Sequence, residues 1–182
     1  MDRSFSVNNC VKKEIIDIKV GLFTCLNFFK SFNELDKTIC VMFKNILVPY
    51  DGSEHSRKAF EYAVDMAKKY NSNVSIVTCI SGGYRGHPYY DSREEEAILD
   101  LQKKAALKAI SQLTKTKTDI QIRTVILESK SVAESLLSYA KSHKIDLIAM
   151  GSRGIGGFKK LILGSVASAV LQHSECPVLI AR

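Results

Sequence analysis

The chain has 182 residues and a formal net charge of +7, with 46% apolar and 25% charged residues. This balance predicts one folded domain with a sizeable core and excludes an intrinsically disordered chain. No run reaches the roughly 18 uncharged apolar residues that a membrane-spanning helix needs, so we expect a soluble protein with no membrane partner. Basic residues are scattered beside acidic ones along the predicted helices, which argues against a nucleic-acid partner.

Five cysteines stand at positions 10, 25, 40, 79 and 176, without the spacing of a zinc site. An odd number of thiols without such a motif is typical of reduced cysteines in a cytosolic protein. We therefore predict a cytoplasmic location and assign no metal ligands.

Residues 1–41 differ from the rest of the chain. The stretch from Ile15 to Phe32 is rich in large apolar residues, but three charged residues interrupt it and acidic residues precede it, unlike a secretory signal. Two interpretations stay open: the segment docks on the body or on a partner, or synthesis begins at Met42. We treat 1–41 as an N-terminal extension and 42–182 as the single domain.

From Met42 onward the apolar pattern alternates between the periods of strands and helices. It predicts strands over 46–48, 74–80, 120–127, 145–150 and 178–181. The helices between them are expected to begin at Ser53, near the acidic run 94–96, at Ser131 and near Gly164. In the second helix the predicted buried face consists of Ile98, Leu101, Ala105, Ala109 and Leu113. At the start of the third helix, Ser131 and Glu134 predict a capping box.

This order of elements predicts the fold class. Strands that alternate with helices need right-handed crossovers, which place the strands parallel. We therefore predict an α/β fold with an open five-stranded parallel sheet and helices on both faces.

Two strands end in segments suited to binding a ligand, since open parallel sheets bind beyond the carboxyl ends of their strands. The first ends in Pro49-Tyr50-Asp51-Gly52-Ser53 and the fourth in Met150-Gly151-Ser152-Arg153-Gly154. With Gly164 and Ser165, the latter gives the spacing G-x2-G-x9-G-S. Such glycines let the backbone approach an anion, and a helix N-terminus can bind phosphate. On spacing alone, a phosphate site and a plain turn remain equally open.

Three segments, taken in order, resemble the universal stress protein family. Asn45–Ser53 is similar to its opening strand, Asp146–Gly154 to its fourth-strand motif, and Leu163–Ala167 with His173–Leu179 to its closing signature. The resemblance covers Met42 to Arg182. It implies a Rossmann-like fold of the adenine nucleotide alpha hydrolase-like type, usually dimeric. One kind within this family binds ATP through G-x2-G-x9-G-[ST], and this chain keeps each of those positions.

The resemblance also implies a set of nucleotide contacts. Asp51 is expected to accept hydrogen bonds from the adenine or its neighbourhood, Pro49 and Cys79 to line the base pocket, and Met150 to lie beside ribose and base. Mg²⁺ can accompany a triphosphate, and no residue is assigned as catalytic. The ribose and phosphates are expected to be held by Gly151, Arg153, Gly154, Gly164, Ser165 and Val166.

The resulting hypothesis is a cytosolic regulator in the stress response that senses or carries an adenine nucleotide, with ATP as the expected one. It would act as a homodimer through the final strand, Val178 to Ala181, and on an unidentified partner. Two alternatives stay open: a slow ATP hydrolase or phosphoryl-transfer enzyme, and an interaction protein without a nucleotide. The enzyme ranks lower because phosphoryl transfer needs several positioned charges, and Asp51 is the one clearly placed carboxylate.

Overall fold

The computed structural model describes residues 18–19, 43–81, 92–115, 119–156 and 162–182. Its strands are β1 (Ile18–Lys19), β2 (Asn45–Pro49), β3 (Asn73–Ser81), β4 (Ile122–Ser129), β5 (Leu147–Gly151) and β6 (Val178–Ala181). Its helices are α1 (Glu54–Tyr70), α2 (Ser92–Thr114), α3 (Val132–Ser142) and α4 (Ser165–His173). All five predicted strands and four predicted helices are present.

Strands β2 to β6 are parallel and lie in the order β4-β3-β2-β5-β6, which confirms the predicted five-stranded sheet. The short strand β1 extends this sheet at the β6 edge, where it runs antiparallel with Ile18 opposite Leu179 and Lys19 opposite Val178. The homodimer predicted through the final strand requires that strand to be unpaired at the sheet edge. This requirement is not met at these two residues of β6, because a piece of the N-terminal extension pairs with them.

The helices cover both faces of the sheet, as predicted. One face is packed by α1 and α2, with Phe60 of α1 and Ile110 of α2 in its core. The other is packed by α3 and α4, with Leu136 and Val170 in its core. The middle strand β2 is buried from both sides, which explains its uninterrupted apolar run 46–48. No helix in the described ranges has the length and apolar character needed to cross a membrane.

The predicted buried face of α2 is correct in part. Ala109 and Leu113 pack against the core as predicted. Leu101 is 67% exposed, and Leu99 and Ile110 are buried instead. The buried face also contains Glu95, which is only 9% exposed. The actual face therefore includes a charged residue, which apolar periodicity does not detect.

The two predicted helix caps have different outcomes. Ser53 is the N-cap of α1, and its side chain accepts the Ser56 amide at 3.2 Å, as expected. Ser131 is the N-cap of α3, but its side chain forms no capping hydrogen bond, so the predicted capping box with Glu134 is not formed.

Candidate functional site

A cavity of about 620 Å³ opens at the carboxyl ends of β2 and β5, and we call it the carboxyl-end cavity. These strands are neighbours at the point where the winding of the sheet reverses, which is where open α/β sheets bind ligands. The volume lies within the range of small-molecule pockets. All the residues assigned to the site from the sequence line it: Pro49, Asp51, Cys79, Met150, Gly151, Arg153, Gly154, Gly164, Ser165 and Val166.

The three residues expected around the base come from three different strands. Pro49 ends β2, Cys79 lies near the end of β3, and Met150 lies near the end of β5. Cys79 is a free, half-buried thiol, and burial raises its pKa to about 11. It is therefore neutral at physiological pH and contributes a small, largely apolar surface. Val77 and Leu136 also line the cavity. The sequence did not predict them as site residues, because their apolar pattern is that of ordinary core positions.

Ser152 fixes the base of the segment 151–164, which we call the glycine loop. Its amide donates to the Ala181 carbonyl at 2.7 Å, and its carbonyl accepts the Gly164 amide at 2.7 Å. Its hydroxyl lies 2.8 Å from Nδ1 of His55 in α1, and the side chain is fully buried. The two ends of the loop are thus held together and tied to β6 and α1. The G-x2-G-x9-G-S spacing of the sequence does not indicate that Ser152 and His55 hold the loop in this way.

Two glycines of the loop are required by close approach of other protein atoms. A Cβ on Gly151 would lie 2.8 Å from the backbone of His55 and of Ser56, in the first turn of α1. A Cβ on Gly154 would lie 2.5 Å from Oδ2 of Asp51. The first glycine therefore permits helix packing, and the second leaves room for a carboxylate that itself faces the cavity.

The Asp51 carboxylate connects the end of β2 to the glycine loop. Its Oδ1 accepts the Ser53 amide at 3.0 Å, and its Oδ2 accepts the Ile155 amide at 3.1 Å. Burial alone would raise the pKa of Asp51, but hydrogen bonds from Ser53, Ser56 and Ile155 outweigh it and hold the pKa below its ordinary value. Each carboxylate oxygen can accept a further hydrogen bond, so Asp51 can still bind a ligand.

The first turn of α4 faces the same cavity. Its N-cap is Gly164, so no side chain caps the amides of this turn. Ser165 and Val166 of the turn line the cavity together with Arg153. Uncapped amides at the positive end of a helix dipole attract anions, and a guanidinium adds charge-assisted hydrogen bonds. This end of the cavity is suited to a negatively charged group.

A model described as the universal stress protein family matches residues 42–182. The chain belongs to the universal stress protein family. Universal stress protein YxiE of Bacillus subtilis is 34% identical over 149 residues, covering 78% of this chain and 100% of that protein.

Solved universal stress proteins share the fold. UspA from Lactobacillus plantarum is 27% identical with a TM-score of 0.65, covering 77% of this chain and 98% of that one. A universal stress protein in complex with cAMP is 22% identical with a TM-score of 0.56, covering 78% and 98%. The universal stress protein from Archaeoglobus fulgidus in complex with dAMP is 19% identical with a TM-score of 0.56, covering 78% and 99%.

A hydroxyl pair lies at the end of β4. The Ser129 hydroxyl lies 2.7 Å from that of Ser135 in α3. The hydroxyl pair joins the strand end to the helix that follows. Further candidate ligand contacts in the sequence are the tyrosines of the segment 81–92 and a lysine pair that could reach phosphates. All of them lie outside the described residues: Tyr84, Tyr89, Tyr90, Lys159 and Lys160.

Proposed function

We propose that this universal stress protein binds an adenine nucleotide, with ATP as its physiological ligand, in the carboxyl-end cavity. The observation that carries the proposal is that every position of the G-x2-G-x9-G-S spacing lines one cavity together with the ends of β2 and β3. Two proteins with the same fold are described in complex with cAMP and with dAMP, and both ligands contain an adenine and a phosphate. Those complexes support the ligand class, while ATP itself is our choice from the glycine spacing.

The two ends of the cavity suit the two ends of a nucleotide. Pro49, Cys79 and Met150 offer apolar surface to the adenine. The uncapped first turn of α4 and the Arg153 side chain suit the phosphates, which are the most strongly charged part of the ligand. Asp51 would accept hydrogen bonds from the base or the ribose. The ligand would then lie across β2 and β5 with its phosphates against the glycine loop.

The residues present fit a nucleotide better than they fit a dedicated metal site. In the described ranges no three His, Cys, Asp or Glu side chains come together to hold a metal. Asp51 is the one carboxylate among the described residues that line the cavity, and two backbone amides already occupy it. A Mg²⁺ ion that accompanied ATP would be held mainly by phosphate oxygens and water.

Calorimetric titration of the full chain tests the proposal. We expect saturable binding of ATP at one site per chain, with weaker binding of AMP and cAMP, because the uncapped helix turn and Arg153 favour additional phosphates. The recovered ATP should remain intact, as a binding function requires. Absence of heat with all three nucleotides would overturn the assignment, and turnover at ordinary enzymatic rates would replace it with the hydrolase alternative.

We further propose that the protein works in the cytoplasm as a homodimer joined through β6, and that the bound nucleotide regulates a partner in the stress response. β6 ends the parallel sheet, and its residues Ile180 and Ala181 have no partner in β1. A strand edge left open is a template for pairing with a second chain. Light scattering of the full chain after gel filtration should give twice the chain mass, and a monomer at all concentrations would contradict the proposed dimer.

A further inference from the structure

A second cavity, of about 430 Å³, lies at the amino ends of β3 and β4, and we call it the amino-end groove. It lies on the sheet face that α3 and α4 pack. Towards the carboxyl ends this face is apolar, with Val77 of β3 beside Val125 of β4. Towards the amino ends it becomes polar, with Ser75 beside Arg123 and Asn45 beside Asn73. The change occurs where α3 no longer covers the sheet, because this helix ends at Ser142.

The lining of the groove is rich in hydrogen-bond donors. Arg123 supplies a guanidinium that makes no ion pair in the described part of the chain. Gln121 and Ser75 add an amide and a hydroxyl to the same surface. None of the described lining residues is acidic. The groove is therefore electropositive, because no acidic residue in the described lining neutralises the charge of Arg123.

Three side chains around the groove are held in place by their own contacts. The Asn73 side-chain amide donates to Oδ1 of Asn45 at 3.2 Å, and the Asn45 side-chain amide donates to the Lys144 carbonyl at 3.3 Å. His143 stacks on Tyr139 with ring centroids 3.8 Å apart, and its Nδ1 lies 3.1 Å from the Tyr139 carbonyl oxygen. The rim of the groove is thus preorganised rather than a set of freely moving side chains.

The nearby acidic residue Asp146 is not part of the groove lining. One of its carboxylate oxygens accepts the Lys44 amide at 2.8 Å, and the other accepts the Asn45 amide at 3.1 Å. Both oxygens of this carboxylate therefore accept hydrogen bonds from the backbone at the start of β2. It forms no ion pair with Arg123 within the described ranges.

We propose that the amino-end groove binds a small phosphate-bearing molecule, held chiefly by the Arg123 guanidinium with Gln121, Ser75 and His143 around it. A guanidinium presents paired N–H donors that match two oxygens of one phosphate, which a single ammonium does not. The volume of the groove lies in the range of small-ligand pockets. This site is separate from the carboxyl-end cavity and does not depend on the function proposed for that cavity.

Titration of the isotope-labelled full chain with inorganic phosphate, followed by two-dimensional NMR at constant ionic strength, tests the proposal. We expect saturable shifts in the signals of Gln121, Arg123 and Asn73. Arg123→Gln should weaken this response at least 10-fold, and Arg123→Lys should weaken it less, because lysine keeps the charge without the paired donors. The matched control is Arg93→Gln, which removes one exposed arginine of α2 away from the groove. It should leave the response unchanged.

The residue-resolved signals separate this groove from the carboxyl-end cavity, whose phosphate response would appear at Gly164 to Val166. Shifts that do not saturate, or an undiminished response in Arg123→Gln, would overturn the proposed site. An acetate titration with equal affinity would overturn the phosphate assignment. If Arg123→Gln does not fold, Arg123→Lys and Gln121→Ala provide the same comparison.

Discussion

The amide of Ile155 donates a hydrogen bond to Oδ2 of Asp51 over 3.1 Å, and the two residues are 104 positions apart in the chain. Gly154, next to Ile155, is the residue whose missing side chain leaves room for this carboxylate. The position of the glycine loop is therefore linked to the group that we expect to meet the adenine. We expect a ligand that moves one of these residues to move the other, which would couple the base end and the phosphate end of the proposed site.

The first prediction separates Gly154 from its neighbour Gly156. A Cβ at Gly154 would meet Oδ2 of Asp51 at 2.5 Å, whereas one at Gly156 has nothing within 4 Å. We expect Gly154→Ala to displace the short Asp51 side chain and weaken ATP binding at least about 10-fold, which corresponds to roughly 1.4 kcal/mol. Gly156→Ala should weaken binding less, because its added atom would meet no protein atom and would leave Asp51 in place. Calorimetric titration measures both affinities.

Thermal unfolding of the same two variants shows whether the fold is retained. The atom that a Gly154 side chain would displace is the end of an exposed side chain, so we expect both variants to unfold near the same temperature. Equal affinities in the two variants would contradict the coupling between Gly154 and Asp51.

The second prediction concerns Gly151, whose role we expect to be structural. An added Cβ would overlap backbone atoms of α1, which cannot rotate away as a side chain can. Overpacking of this kind costs about 1–3 kcal/mol, so Gly151→Ala should lower the free energy of unfolding by that amount. In the comparison variant Gly164→Ala the new atom would be 3.4 Å from the Ser152 carbonyl oxygen, and we expect a loss of at most about 1 kcal/mol. Urea denaturation gives both values, and the opposite ranking would contradict the packing role.

The sequence predicted the sheet from a local signal, because the apolar period identifies strands and the helices between them. The glycines after the fourth strand indicated a ligand-facing end, but the residues that line the cavity were predicted from the resemblance to the family. The sequence could not show that Gly151 faces the first turn of α1, since that contact joins distant parts of the chain. It misplaced part of the buried face of α2, where Leu101 is exposed and Glu95 is buried. It missed β1 because a two-residue strand has no period.

The third prediction is a pH dependence of stability that comes from Asp51. Its folded-state pKa lies below the ordinary value, so the unfolded chain binds more protons near that pKa. The stabilisation should therefore be complete above the unfolded pKa of about 3.9 and disappear as the pH falls through the lower folded value. Asp51 is exposed, so we expect Asp51→Asn to cost no more than about 1 kcal/mol at pH 7.

Urea unfolding of this variant and of the unchanged chain at pH 7, 5 and 3 measures the effect. The two should differ at pH 7 and 5 and converge towards pH 3. The asparagine keeps only one acceptor oxygen, so one of the two amide hydrogen bonds is lost at every pH. The part of the difference that closes towards pH 3 therefore reports on the charge. A gap of the same size at all three values would show that the carboxylate charge contributes nothing.

The last prediction uses Cys79 as a chemical probe of the carboxyl-end cavity. Burial raises its pKa to about 11, so little thiolate is present at pH 7.5. Since the thiolate is the reactive form, iodoacetamide should alkylate Cys79 at least about 10-fold more slowly than free cysteine, and faster as the pH rises. Cys176 is a useful internal reference, because burial also raises its pKa but it does not line the cavity. ATP should protect Cys79 and leave Cys176 unchanged in peptide mapping by mass spectrometry. Protection of neither thiol would contradict the placement of the adenine beside Cys79, and equal protection of both would indicate a general change in the fold instead of local binding.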